Sequence, residues 1–194
     1  MLPTFRQGVK NVKNLTLALA LALTASSAVA EPGVIVMGDS ISAVSNSWSN
    51  VIANQGVNVQ NIAMAGRKLR DFSIPRDLHA DGQFDTVVYF LGINDAQAYL
   101  DPADVAEVFE AHMVFLIARG FDILVLYPNR VPIIPELDLS IRKVKQAMNK
   151  VCVKHDIDCR TIPVWRSYLT HDTVHPKPEL HRDIAFWVID VLDL

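Results

Sequence analysis

Val34-Ile35-Val36-Met37-Gly38-Asp39-Ser40-Ile41-Ser42 is the stretch from which the rest of the chain is best read. Four apolar residues run without polar alternation into Gly38-Asp39-Ser40. A buried parallel strand ends this way when its last turn presents a side chain at the carboxyl edge of a sheet. Gly38 permits a tight turn, and Asp39 and Ser40 are residues that cap a following helix. By themselves they describe a strand, a turn and an N-cap. A chemical role for Ser40 requires that the chain also bring a base and oxyanion donors to the same edge.

Downstream, residues 46–55 place Trp48, Val51 and Ile52 at helical spacing and stop at Gly56, with Trp48 as a core anchor. Residues 57–63 roughly alternate apolar and polar and read as a second strand nearer the sheet edge. They lead into Asn61-Ile62-Ala63-Met64-Ala65-Gly66, whose small residues suit a tight loop with a backbone N–H facing a ligand. Residues 69–78 read as a weak helix or an irregular crossover broken by Pro75. Residues 85–91 are the strongest strand, β-branched and aromatic and hence central, and end in Gly92-Ile93-Asn94-Asp95. Asp101-Pro102 opens a helix that stops at Gly120 and carries His112 as a packed or surface residue. A fourth strand over 121–127 precedes the loop Pro128-Asn129-Arg130-Val131-Pro132-Ile133-Ile134-Pro135. A long helix over 136–153, a fifth strand over 157–164 and a last helix over 177–191 complete the pattern. Five strands alternating with helices predict an α/β fold: a three-layer α/β/α sandwich with a five-stranded parallel sheet and right-handed crossovers.

The first thirty residues have a different character. Arg6, Lys10 and Lys13 form a positive region without acids, residues 15–23 are rich in Leu and Ala, and Ala28-Val29-Ala30 is a small-x-small cleavage site before Glu31. This is the pattern of a secretory signal peptide over residues 1–30, leaving one domain over residues 31–194. The apolar run is well short of the roughly 20 residues that span a bilayer, so no stable membrane anchor is expected after cleavage. The protein is therefore expected to be periplasmic or secreted. Cleavage removes three of 18 Lys and Arg against 21 Asp and Glu, taking the net charge from −3 to −6. A mildly acidic exported protein gives no support to nucleic-acid binding. Cys152 and Cys159 are the only two cysteines. In an exported protein so close a pair reads as a disulfide, worth roughly 2–3 kcal/mol in the chain-entropy model. Two free buried thiols are the alternative, and His155 and Asp156 are too few neighbours for a metal site.

In an open α/β sheet, ligands bind outside the carboxyl ends of the strands. The polar turns at those ends are Gly38-Asp39-Ser40, Gly66, Gly92-Ile93-Asn94-Asp95, and Asp172 with His175. They converge on one edge, and the chemistry they assemble is nucleophilic acyl transfer. A serine hydroxyl needs an imidazole to take its proton, and His175 supplies one. Asp172, three residues earlier, is placed to hold the imidazole Nδ1–H. The Ser40 N–H, the Gly66 N–H and the Asn94 amide are donors for an oxyanion. His171, Asp172 and His175 can also be read as metal ligands, but the approach to Pro176 is not a helical setting. The same turn can serve as a capping loop with Pro176 at the first helical position. Neither a Gly-x-Gly-x-x-Gly nor a Walker-type run follows any strand, which argues against nucleotide binding. The Gly-x-Ser-x-Gly elbow is absent at Ser40.

On these four stretches, which follow one another in the family's order and span nearly all of residues 31–194, the chain resembles the SGNH, or GDSL-type, hydrolases. The resemblance implies the flavodoxin-like SGNH hydrolase fold and ester or thioester hydrolysis without metal or cofactor. It implies Ser40 as nucleophile, His175 as base, Asp172 as orienter, and Ser40, Gly66 and Asn94 as oxyanion donors. Compact size and an export signal are similar to periplasmic lysophospholipase/thioesterase and arylesterase members. The chain departs from the pattern after Gly66, where Arg67-Lys68 replaces the small polar residue often found there.

That departure bears on substrate. Arg67, Lys68 and Arg70 either attract an anionic head group or form a solvated basic turn. Arg130, Val131 and Ile133 belong to a loop that either walls an acyl channel or packs against the neighbouring helix. Together they lean toward acyl-chain or lipid-like esters as the small-molecule partner. Tyr99, Tyr127, Trp165 and Tyr168 keep an acylated carbohydrate, and with it an O-acetyl esterase, in view. A monomer is expected. A non-catalytic carbohydrate- or lipid-binding protein on the same fold is the reading from a different class.

Overall fold

β1 (Val34–Gly38) is buried along its whole length, so it needs a neighbour on each edge and a layer on each face. The computed structural model describes residues 33–74, 78 and 84–194. The signal peptide expected over residues 1–30 lies outside them, as does part of the crossover expected over 69–78. On one side β1 pairs in parallel with β2 (Val59–Asn61), Val36 standing opposite Asn61. On the other it pairs with β3 (Thr86–Phe90), Gly38 standing opposite Phe90. β4 (Asp122–Leu126) and β5 (Asp158–Arg160) complete a five-stranded sheet in the order β2-β1-β3-β4-β5, every pairing parallel. This is the flavodoxin-like order, and it reverses between β1 and β3, the place where such sheets open a crevice for ligands.

The continuous apolar runs become the inner strands, and the alternating segment becomes an edge, as their patterns predict. The two edge strands, β2 and β5, are only three residues each, shorter than the sequence pattern suggests. Each has a ladder on one side only, and β2 is only partly covered.

The helices split between the two faces. α1 (Ser40–Ala43) is a single turn leaving β1, and α2 (Trp48–Ala53) follows it. α3 (Ile93–Gln97) is the corresponding short helix leaving β3. α4 (Pro102–Ala118) and α5 (Pro135–His155) pack on each other, and α2 packs with the last helix, α6 (Pro178–Leu192). Asp101 caps α4 through a hydrogen bond to Ala103 N–H, with Pro102 as the first helical residue. α6 begins at Pro178 with Lys177 as N-cap, so Pro176 lies outside the helix. Trp48 is fully buried, and His112 is buried beside Tyr89, whose hydroxyl lies 2.9 Å from His112 Nδ1.

The turn out of β1 is the tightest place in the fold. A Cβ on Gly38 would stand 2.6 Å from Ser42 Oγ and 2.7 Å from Ser42 Cβ. Ser42 is itself fixed, because its Oγ accepts a hydrogen bond from Trp48 Nε1 at 3.1 Å. Gly38→Ala therefore has nowhere to put its methyl group, and the loss of stability is expected at the upper end of the ~1–3 kcal/mol typical of overpacking, read as a lower urea midpoint with unchanged slope.

Cys152 near the end of α5 and Cys159 in β5 form the expected disulfide. It ties the short edge strand to the helix before it. Replacing both cysteines by serine is expected to cost roughly 2–3 kcal/mol of unfolding free energy, and dithiothreitol is expected to lower the wild-type melting temperature to that of the double variant.

Candidate active site

Ser40 is the first residue of α1 because Asp39 caps the helix. Asp39 Oδ1 accepts from Ile41 N–H at 3.0 Å, which sets the turn so that Ser40 leaves the carboxyl end of β1. Its hydroxyl lies 2.9 Å from His175 Nε2. The other imidazole nitrogen, Nδ1, lies 2.6 Å from Asp172 Oδ2. The structure thus brings together the three side chains the sequence singled out, from opposite ends of the chain.

The segment that carries His175 is a closed loop. The His171 N–H donates to the His175 carbonyl at 2.8 Å, and Thr170 and Pro176 form an isolated antiparallel bridge. Within it Asp172 Oδ1 accepts from the His175 N–H at 2.8 Å and the Val174 N–H at 3.1 Å. Thr173 adopts a φ of 74°, left-handed backbone that a β-branched residue rarely takes. Burial alone would raise the Asp172 carboxyl, but the two backbone N–H groups and the imidazole outweigh it and hold it at about 2. An ionised carboxylate only accepts, so Nδ1 carries the proton and Nε2 is left as the acceptor for the Ser40 hydroxyl. The His175 and Asp172 side chains are 40% and 57% exposed, so the pair opens to solvent.

Gly66 lies in a turn closed by the Arg67 N–H and the Met64 carbonyl at 3.2 Å, with a φ of 75°. That left-handed conformation is the reason for glycine here, since a Cβ would meet nothing within 4 Å. Asn94, in the first turn of α3, donates from Nδ2 to the Arg67 carbonyl at 3.0 Å. A carboxamide nitrogen has two hydrogens, so this bond fixes the group against the Gly66 loop while one N–H remains to donate. Asp95 is buried and accepts the Leu69 N–H on both oxygens at 3.2 Å, pinning the continuation of the same loop. Burial lifts the Asp95 carboxyl to about 6, against that hydrogen bond.

The expected substrate residues occupy different settings. Arg67 lies with its guanidinium carbon 3.9 Å from the centre of the Phe72 ring. Arg130 forms a fork on Asp138, Nε to Oδ1 at 3.1 Å and Nη2 to Oδ2 at 2.6 Å, and the Val131 N–H joins at 3.1 Å. The Arg130 hydrogen bonds hold the Asp138 carboxyl below its usual range. Val131 is buried in the core, while Ile133, two residues on, is 74% exposed. Tyr127 is also in the core, its hydroxyl bonded to Asn149 Oδ1 at 2.8 Å, whereas Tyr99 and Tyr168 stand exposed. Among the described residues, no group of three His, Cys, Asp or Glu side chains stands close enough to hold a metal ion. Likewise, none of their helices is long and apolar enough to cross a membrane.

Sequence reasoning assigned no role to two groups beside the site. One is Asp95. The other is a buried polar cluster behind Ser40, in which the Trp48 N–H donates to His181 Nδ1 at 3.2 Å and Asn61 reaches Ser42 and Ser49. Asn61 carried a signal, a polar residue at the end of a strand, but its partners are 12 and 19 positions away.

No protein-family model matches this chain, and no curated protein sequence matches it. Solved structures do. A lipolytic protein of the G-D-S-L family from Veillonella parvula superposes with a TM-score of 0.67 at 17% identity, covering 83% of this chain and 98% of that one. An acetyl xylan esterase, AlAXEase, gives 0.72 at 18% identity over 82% and 99% of the two chains. TesA gives 0.66 at 20% identity over 82% and 97%. The fold is that of the GDSL, or SGNH, lipolytic proteins and esterases. Agreement of this extent at such low identity rests on the shared sheet and crossovers.

Asp39 gives a test of this local picture. It is 1% exposed, its Oδ2 has no hydrogen-bond partner, and burial pushes its carboxyl up to about 7 despite the Ile41 N–H and the His175 charge. A carboxyl raised in the folded state contributes stability below its unfolded value near 3.8, and that contribution is lost as pH rises through about 7. Asp39→Asn keeps the capping oxygen and removes the titration. Its melting temperature is expected to gain steadily on wild type between pH 4 and pH 8, and a constant difference would contradict the assignment.

Proposed function

We propose that the protein is an exported serine esterase that hydrolyses carboxylic ester or thioester bonds. The observation that carries the reading is the unbroken chain from Ser40 Oγ to His175 Nε2 and from His175 Nδ1 to Asp172 Oδ2. Ser40 attacks the substrate carbonyl as its proton passes to Nε2, and Asp172 stabilises the imidazolium. The oxyanion is received by the N–H groups of Ser40 and Gly66 and the free Asn94 N–H. The imidazolium then protonates the departing alcohol or thiol. Water, deprotonated by His175, adds to the acyl-Ser40 carbonyl, the bond to Ser40 Oγ breaks to release the acid, and the imidazolium returns its proton to Oγ. No step calls on a metal or cofactor.

The exposed Ile133 and Met64, together with the basic residues after Gly66, support an acyl-chain or lipid-like ester as substrate. Exposed Tyr99 and Tyr168 support a second reading, an acetylated carbohydrate, in line with the acetyl xylan esterase among the similar folds. The signal pattern over residues 1–30 and the disulfide support a periplasmic or secreted location.

The mature protein is expected to hydrolyse p-nitrophenyl esters and to be labelled at Ser40 by a fluorophosphonate. Ser40→Ala and His175→Ala are expected to abolish turnover, and Asn94→Ala to lower kcat on the order of 10²–10³-fold, the usual cost of one oxyanion donor. Ser40→Ala hydrolysing esters as fast as wild type would overturn the reading. Ligand binding that survives His175→Ala, with no labelling of Ser40, would favour a binding protein instead. A comparison of acyl-chain lengths with acetylated xylo-oligosaccharides separates the two substrate readings.

A further inference from the structure

We propose that Asn61 is a positioning residue for the reaction of Ser40, its carboxamide holding the turn that carries the nucleophile against the loop that carries Gly66. The inference rests on the esterase reading above. Asn61 is the last residue of β2, and both ends of its side chain are used. Nδ2 donates to the Ser42 carbonyl at 2.7 Å and to Ser49 Oγ at 2.9 Å, while Oδ1 accepts the Ala63 N–H at 2.9 Å.

The two backbone partners each have a reason to need it, whereas Ser49 Oγ also has Ser47 Oγ at 2.8 Å. α1 ends at Ala43, so the Ser42 carbonyl has no N–H four residues on within the helix. Ser42 is 0% exposed, where an unmet carbonyl acceptor is costly. The Ala63 bond is a local side-chain turn of the kind asparagine favours, and it bends the chain out of β2. From there the loop runs beside β1, the Ile62 N–H bonding to the Val36 carbonyl at 3.0 Å and the Met64 N–H to the Gly38 carbonyl at 3.1 Å. Two residues later comes Gly66. One carboxamide therefore spans the two backbones whose N–H groups are proposed to receive the oxyanion, those of Ser40 and Gly66. Ground-state binding of an ester does not depend on their spacing, but stabilisation of the tetrahedral intermediate does.

The test is steady-state hydrolysis of p-nitrophenyl acetate by wild type, Asn61→Ala, Asn61→Asp and Ser49→Ala, well below each melting temperature. Misplaced reacting groups cost up to about 10²-fold. Asn61→Ala is expected to lose about tenfold or more in kcat with KM within twofold, and fluorophosphonate labelling of Ser40 is expected to slow in parallel. Asn61→Asp keeps the acceptor for Ala63 but puts an oxygen against the Ser42 carbonyl, so it is expected to be impaired as well. Ser49→Ala, which leaves the bridge to Ser42 and Ala63 intact, is expected to stay within twofold of wild type. A purely structural role predicts lower melting temperatures with kcat unchanged, and kcat within twofold of wild type in either folded Asn61 variant overturns the proposal. Should Ser40→Ala prove as active as wild type, the esterase reading fails instead, so the two failures are distinct.

Discussion

Everything at the carboxyl edge depends on the absence of a side chain at Gly38. With hydrogen alone at that position, the backbone of β1 reaches the Ser42 side chain at a distance no Cβ would tolerate, and α1 can begin immediately after the strand. Ser40 then falls at the top of the sheet, at the strand-order reversal between β1 and β3. β3, paired with β1, leads into α3, whose first turn carries Asn94. Trp48 wedges Ser42 from behind by its indole N–H, so the turn is held by packing as well as by backbone geometry.

Electrostatics sorts the three carboxylates around this turn into different tasks. Asp39 and Asp95 are buried, each is held by a backbone N–H, and burial raises both. Asp172 lies in the open, with two backbone N–H groups and an imidazole on its oxygens, and is held far below the other two. Only the third can remain an anion across the range in which an imidazole exchanges its proton. The carboxylate nearest Ser40 in sequence is therefore the one burial raises, and the ionised one on the His175 imidazole comes from the far end of the chain.

Much of this is legible in the sequence. β1, β3 and β4 are unbroken apolar runs because they are covered on both faces, and such runs announce themselves. β2 and β5 are shorter than their sequence patterns predict because an edge ladder ends where its single partner ends, which a strand's own residues do not record. Ser40 and Asn94 are legible because each follows a strand, and the connectivity of a parallel sheet sends such turns to one edge. Asp172 and His175 stand more than ten residues beyond β5 and are marked by their own spacing. What stayed hidden were contacts set by packing. Arg130 meets Asp138 across a proline-rich loop, Tyr127 turns inward to reach Asn149, and Asn61 reaches the carbonyl of Ser42 beyond the turn that carries Ser40. None of these pairs has a spacing that marks it, because each is made by the way two elements happen to dock.

β5 is a three-residue edge strand, and the chain from it passes through a 3-10 turn over Ser167–Leu169 into the loop that carries Asp172 and His175. An edge strand so short has little ladder to keep it in place, and a peeled edge invites pairing with another molecule. The Cys152–Cys159 bond closes a ring between α5 and the middle residue of that strand. The hold on this edge of the sheet is thus partly covalent. A chain with the two thiols reduced keeps Ser40 at the end of a strand paired on both edges, while the segment that carries His175 follows a strand held by its β4 ladder alone.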